Sequence, residues 1–168
     1  MRIGITGTPA TGKTTLARLL SQALKHELVD VKKLVKKHNL GNEVDLNKLR
    51  KVLLPLPKDV VIESHLIAEI KLPLDVMVVL HASPRALKRR MKKRKYGPRK
   101  IKENIEAELL DYFTIYAEQN YPRVIHIDTT GLTPRQLLKK TLRYLKEGKS
   151  DVINHEKALL EYALHNKI

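Results

Sequence analysis

Gly7-Thr8-Pro9-Ala10-Thr11-Gly12-Lys13-Thr14 fits the pattern G-x-x-x-x-G-K-[ST] and follows directly on the apolar stretch Ile3 to Ile5. The spacing suits one task, the holding of a phosphate. Gly7 and Gly12 let the backbone turn so that successive N–H groups converge on one anion. The helix that follows points its positive end at the same anion. In a loop of this kind Lys13 reaches the β- and γ-phosphates of a nucleoside triphosphate and the Thr14 hydroxyl ligates Mg²⁺. A strand before the loop and a helix after it supply the required context; an ordinary glycine turn is the alternative.

A second candidate is the run Val61-Ile62-Glu63-Ser64-His65 at the end of a buried strand. Parallel strands deliver side chains to the crevice at their carboxyl ends, and an acid there can hold the hydration shell of magnesium. Glu63 suits that role. His65, two residues on, shares its side of an extended chain and can orient a water or a phosphate. The plainer reading is a solvated Glu and a loop His.

The third candidate is cationic. Arg85 to Lys102 holds eleven basic residues and no acid. Such a run is usually a solvated or interacting segment, but this one straddles the break at Gly97-Pro98 and can form a basic lid. Phosphoryl transfer calls for cations over the migrating group. Arg90, Arg94 and Arg99 are the best placed, because guanidinium bridges two phosphate oxygens at once. The surplus lysines serve either RNA or solubility. A fourth segment, His126-Ile127-Asp128-Thr129-Thr130-Gly131, suits either a backbone cradle for a nucleotide base or a plain helix N-terminal turn.

Positioning these groups falls to apolar runs that alternate with helix-period segments, the signature of an α/β domain with a parallel sheet. Strands are expected at Arg2–Thr6, Glu27–Val31, Val60–Ile62, Asp75–His81 and Val124–Ile127. Helices are expected at Thr14–Leu24, around Lys32–Lys37 and Leu46–Leu54 with Gly41 and Asn42 between, and from Pro84 to about Arg94. A single long helix is expected from Gly97-Pro98 to about Asn120, another from Thr133-Pro134 to near Gly148, and an extra terminal helix at about 150–166. The expected fold is a P-loop kinase-like five-stranded parallel sheet flanked by helices, as one domain over 1–168.

The chain has 168 residues, no Cys, no Trp and one Phe, which excludes disulfides and thiolate metal sites and argues against an aromatic platform for single strands. No apolar run approaches the roughly 20 residues of a membrane span, and no signal-peptide pattern is present, so a soluble cytoplasmic protein without membrane partners is expected. The balance of 33 basic to 18 acidic residues, a net charge of +15, favours polyanionic partners: nucleotides, and RNA or ribonucleoprotein. A merely Lys-rich, solvated surface is the alternative.

The early P-loop, the Glu63-Ser64-His65 motif after the third strand and Arg94-Lys95-Tyr96 in a basic lid together resemble the sixth adenylate kinase isoenzyme family, also called CINAP, with nuclear and archaeal members. The similarity runs from Arg2 to about Leu145 and leaves Ser150–Ile168 unaccounted for. It implies an adenylate kinase that converts ATP and AMP to two ADP with Mg²⁺, uses other nucleoside monophosphates, and has accompanying ATPase activity. It also implies a role in small ribosomal subunit maturation through a small-subunit ribosomal protein, with rRNA nearby. The family's ATP contacts fall on Ala10, Gly12, Lys13, Thr14, Thr15 and Arg94, its acceptor-nucleotide region on about 30–52, and its lid on about 93–103. Two departures stand out. Eukaryotic members carry Asp where this chain has Glu63. The acceptor region holds one Arg, Arg50, so Lys36 occupies a position that the family gives to Arg. Two main readings follow, a nucleoside monophosphate kinase or an assembly ATPase with incidental kinase activity; a kinase for another small metabolite is a weaker third.

Overall fold

A computed structural model describes residues 1–41 and 43–166; Asn42, expected to separate two helices, lies outside the described residues, as do Lys167 and Ile168. Strand β1 spans Arg2–Gly7, β2 Glu27–Asp30, β3 Val60–Glu63, β4 Val76–His81 and β5 Val124–Asp128. They form one sheet in the order β2-β3-β1-β4-β5, with every neighbouring pair parallel. Helix α1 covers Lys13–Leu24, α2 Val31–Lys37, α3 Leu46–Leu53, α4 Pro84–Lys93, α5 Pro98–Leu109, α6 Tyr112–Asn120, α7 Pro134–Glu147 and α8 Glu156–Asn166.

Helices on both faces explain why the central strands are apolar throughout rather than alternating. Ile3, Ile5, Val61, Val76, Val78 and Leu80 pack one face against Leu16 and Leu20 of α1 and Leu137 and Tyr144 of α7. Val60, Ile62, Met77 and Val79 pack the other against Leu49 and Leu53 of α3 and Phe113 and Ala117 of α6. A third, smaller cluster joins Ala86, Leu87 and Met91 of α4 to Ile101, Ile105 and Leu109 of α5, with Ala158 and Leu159 of α8 against it. No helix among the described residues is long and apolar enough to cross a membrane.

The chain departs from the sequence reading in two places. The long helix is two helices. α5 ends at Leu109, and Asp111 takes a left-handed conformation (φ 53°) before α6 begins. Apolar residues recur every four positions at 101, 105, 109, 113, 117 and 121, which reads as one helix. The first three serve the α4–α5 cluster and the last three serve the sheet, so the chain must turn between them. Asp is among the few residues that tolerate the left-handed region. Second, residues 150–155 are not helical. Ser150 and Asp151 instead hydrogen-bond to β5, with His126 N–H donating to Ser150 Oγ (2.7 Å) and Asp128 N–H to Asp151 Oδ2 (2.8 Å).

The order of strands sets the crevice. β1 leads away to β2 at one edge and β3 leads back across to β4, so the connections after two adjacent strands diverge, and such a point opens a ligand cleft at the strands' carboxyl ends. The P-loop leaves β1 there. Gly7 has φ 130°, and a Cβ built on it would lie 2.3 Å from the Leu80 carbonyl oxygen of β4, whereas a Cβ on Gly12 (φ 109°) would meet only Leu137 Cδ2 at 3.7 Å. The two glycines are therefore not equivalent. Gly7→Ala should destabilise the fold by about 3 kcal/mol, a drop in Tm on the order of 10 °C. Gly12→Ala adds only backbone strain and should cost about 1 kcal/mol. Thermal denaturation of both variants checks this; equal losses would show that the β1–β4 approach is not what demands glycine at position 7.

Candidate functional site

The carboxyl ends of β1 and β3 open on a cavity of about 670 Å³, a size within the range of small-molecule sites. A larger groove, about 1140 Å³, runs between α4, α5 and α8 but contains no P-loop residue. Ala10, Gly12, Lys13, Thr14, Thr15, Glu63, His65 and Arg94, the residues singled out in the sequence, all line the smaller cavity.

Helix α1 starts at Lys13 with Gly12 as its N-cap and no side-chain cap, so its first-turn N–H groups face the cleft end of the helix rather than a capping oxygen. The Lys13 ammonium donates to the carbonyls of Gly7 (2.7 Å) and Thr8 (3.0 Å). Its burial strips water from the charge and lowers its pKa to about 8, against the opposing pull of the Glu63 and Glu108 carboxylates. Thr14 Oγ1 donates to Glu63 Oε1 at 3.0 Å, which ties the start of α1 to the end of β3. Two hard oxygens side by side at the mouth of a phosphate loop are the donor type that Mg²⁺ takes while retaining several waters.

His65 is exposed on the rim. Desolvation by the cleft, and then the charges of Lys13, Lys32 and Lys100, push its imidazole below the ordinary range, so it is neutral at physiological pH. Opposite the P-loop, α2 and the turn after it contribute Val31, Lys32, Val35, Lys36, Gly41 and Val44. Arg50, the lone arginine of that region, is turned away. Its Nε donates to the Lys71 carbonyl (2.8 Å), and it does not line the cavity.

The basic run divides into parts with different tasks. Arg94 caps the end of α4 and lines the cavity together with Tyr96, Lys100 and Asn104 across the turn into α5. Arg90 does not. Its guanidinium donates to the Ala10 carbonyl (3.3 Å), to Thr129 Oγ1 (3.0 Å) and to the Thr129 carbonyl (2.8 Å). It thereby clamps a P-loop residue that sits in the left-handed region (Ala10, φ 71°) to the end of β5. Arg99 is almost fully exposed and pairs with Glu103 one turn on, away from the cleft. The polar loop after β5 has likewise been committed elsewhere. Thr129 receives Arg90, Thr130 Oγ1 accepts the Ser83 N–H (2.8 Å), and neither lines the cavity. Thr133 forms the N-terminal capping box of α7.

One buried acid escaped the sequence reading. Glu108 of α5 accepts a short hydrogen bond from the Thr8 hydroxyl and one from the Ala82 N–H (3.0 Å), so it braces the P-loop from behind. Burial alone would raise its pKa, but His155, His81 and Thr8 outweigh that and hold it at about 2. Nothing in the helical pattern of α5 sets this acid apart; only its partner a hundred residues earlier does.

The AAA domain family matches residues 3–111. A protein of Thermococcus onnurineus described as "Putative adenylate kinase" is 37% identical over 156 residues, covering 88% of this chain and 86% of its own length. One of the same description from Methanosarcina acetivorans is 33% identical over 174 residues, covering 90% and 91%. Among solved structures, deoxyadenosine kinase from M. mycoides with bound dATP superposes with a TM-score of 0.62 at 16% identity, covering 88% of this chain and all of that one. Shikimate kinase from Aquifex aeolicus gives 0.61 at 18% identity, covering 88% and 98%. Those two likenesses concern the fold, a P-loop parallel sheet shared by kinases of different acceptors. Sequence identity at the level of the first two, sustained along nearly the whole length, makes the chain a member of the adenylate-kinase-like family of P-loop proteins.

Proposed function

We propose that the protein is a nucleoside monophosphate kinase that moves the γ-phosphoryl group of ATP to AMP, with other nucleoside monophosphates as further acceptors and slow hydrolysis when the acceptor is missing. The observation that carries this reading is the single cavity with a phosphate loop on one wall and the α2 segment, bearing Lys32 and Lys36, on the other. A phosphate oxygen of the acceptor attacks, the bond from the γ-phosphorus to its bridging oxygen breaks, and the electron pair leaves with ADP. Lys13 neutralises the bridging region, Arg94 covers the migrating group, and neutral His65 orients the attacking oxygen or a water. Thr14 and Glu63 would hold Mg²⁺, and the ion would supply charge neutralisation at the phosphates. Glu63 in place of Asp adds one methylene and still reaches a water-mediated ion. Lys36 supplies a point charge where the resembled family has a planar fork, which lowers acceptor affinity more than it lowers turnover.

A coupled assay of ATP against a panel of nucleoside monophosphates, with a no-acceptor control and shikimate as a metabolite control, tests the reading. AMP should be the best acceptor, and Lys13→Ala should lower turnover at least about a hundredfold, about 2.7 kcal/mol of transition-state stabilisation. Equal ADP production with and without every nucleotide acceptor would leave an ATPase in place of a kinase.

The lowered pKa of Lys13 makes a second, independent test. Below about pH 8 the ammonium is already charged, so this group adds no pH dependence to ATP binding. Above it the free protein loses that proton and ATP must bring it back, so affinity should fall by up to about tenfold per pH unit. Calorimetry at about pH 9 in two buffers of different ionisation enthalpy should record uptake of close to one proton per ATP, absent in Lys13→Met. A flat affinity across this range would mean that the ammonium stays charged.

A second reading, that the activity serves small ribosomal subunit maturation through a small-subunit ribosomal protein, is favoured by the distribution of cations. Arg90 is spent on the P-loop, and Arg94 and Lys100 line the cavity. The other eight basic residues between Arg85 and Lys102 are exposed. Purified small-subunit protein and rRNA should be retained near physiological salt in a nucleotide-sensitive way. Retention that falls log-linearly with salt and ignores nucleotide would reduce the surface to non-specific charge.

A further inference from the structure

The segment that follows α7 is laid along β5 by firm contacts. Asp151 N–H donates to the His126 carbonyl (2.9 Å), Tyr144 Oη donates to Asp151 Oδ1 (2.7 Å), and Lys140 pairs with Asp151 Oδ2. The strap then delivers His155 to the back of the P-loop, where its side chain is nine-tenths buried and its Nε2 lacks a hydrogen-bond partner. That atom lies 3.6 Å from Glu108 Oε1, and His81 Nδ1 lies 3.3 Å from the same oxygen.

The neighbouring bonds fix what these atoms carry. Glu118 can only accept, and its Oε1 stands 3.2 Å from His126 Nε2, so that nitrogen bears the hydrogen. Neutral His126 then presents a lone pair at Nδ1, which accepts from His81 Nε2 at 3.1 Å. His81 donates through Nε2, and its Nδ1 faces, at 3.3 Å, a carboxylate oxygen that already accepts the Ala82 N–H. Either a second proton on His81 or a cation held between the groups satisfies this contact, and the unpartnered His155 Nε2 beside it adds a third donor atom to the set. Such a set is satisfied by a cation in its midst.

We propose that His81, Glu108 and His155 form a structural site for a divalent transition ion of the zinc class, outside the nucleotide cleft. The three donor atoms lie within 4.8 Å of one another. Bonds of about 2.0 Å in a tetrahedral site place ligand atoms roughly 3.3 Å apart, close to the separations about Glu108 Oε1. Two imidazoles and a carboxylate suit zinc, cobalt or nickel and not Mg²⁺, which takes hard oxygens. Asp111, with Oδ1 3.9 Å from His155 Nε2, stands beside the site but outside the three-atom cluster, so a water completes a tetrahedral set. The His81–His126–Glu118 chain is the outer support that orients a metal-bound imidazole. An ion here ties β4, α5 and the C-terminal strap together directly behind Thr8, whose hydroxyl rests on the other oxygen of Glu108.

The test uses tag-free full-length protein stripped with chelator. Zn²⁺ should bind one per chain in competition with a chromophoric chelator and raise the Tm, and Co²⁺ should give the strong visible absorption of four-coordinate nitrogen and oxygen ligation. Excess Mg²⁺ should displace neither. His155→Ala removes the strap ligand and leaves Glu108 its bonds to Thr8 and Ala82; it should weaken Zn²⁺ at least about a hundredfold. His81→Gln, checked for folding by circular dichroism, should do the same. Absence of stoichiometric binding by the wild-type protein overturns the proposal, leaving protonated imidazoles as the only cations of the cluster. Affinity unchanged in both folded variants overturns it equally, and assigns the ion to other surface histidines.

Discussion

A carbonyl of β4 occupies the space that a side chain at residue 7 would need. That contact fixes where the P-loop begins. Because β1 and β4 approach so closely, the chain must leave the sheet with a positive φ at Gly7, fold through a left-handed Ala10 and re-enter a helix at Gly12. The loop is thus held in shape by the sheet beneath it, by Arg90 from α4 and by Glu108 from α5, before any anion is considered. A preorganised cradle of this kind costs little reorganisation when phosphate arrives, which is how fixed dipoles and charges are most effective.

The price of that arrangement is two ionised groups in largely buried places, Lys13 above the loop and Glu108 below it. Each is stabilised in its own way. Lys13 sits on two loop carbonyls, whose lone pairs satisfy part of its donor capacity but bring no full negative charge, so its proton is held weakly. Glu108 is surrounded by donors and imidazoles and holds its charge firmly. The asymmetry matches their positions. The cation faces the cleft, where a polyphosphate restores its lost solvation, while the anion faces the interior, where its partners are permanent.

Much of this was legible in the sequence. The five strands, the P-loop and the convergence of Glu63 and His65 with Lys13 follow from buried apolar runs and from residues at strand ends. Three features were not. The apolar ladder from Ile101 to Tyr121 keeps one period across the break at Asp111, because the two helices use the same stripe against different cores. Arg90 and Arg99 look equivalent to Arg94 in a basic run, yet only tertiary contacts divide a clamp, a surface pair and a cavity wall among them. Glu108 has the bland spacing of a helix-surface acid; its meaning depends on Thr8, Ala82 and a strap that begins forty residues later. Local periodicity reports which face is buried, not which polar group across the fold will complete it.

The break at Asp111 also gives the molecule a fulcrum. α4 and α5 share a cluster of their own and are tied to the P-loop by Glu108 and by Arg90, while the turn that carries Arg94 and Tyr96 stands at the far tip of the pair. From Asp111 to that tip is about fourteen residues, about 20 Å of helix at 1.5 Å per residue. A difference of about 10° in the angle between α5 and α6 would correspond to roughly 3–4 Å at that tip, the difference between a guanidinium touching a phosphate and one standing a water away. Standing at the far end of that arm, the Arg94 side chain is the part of the cavity wall whose position depends most on the angle set at half-buried Asp111.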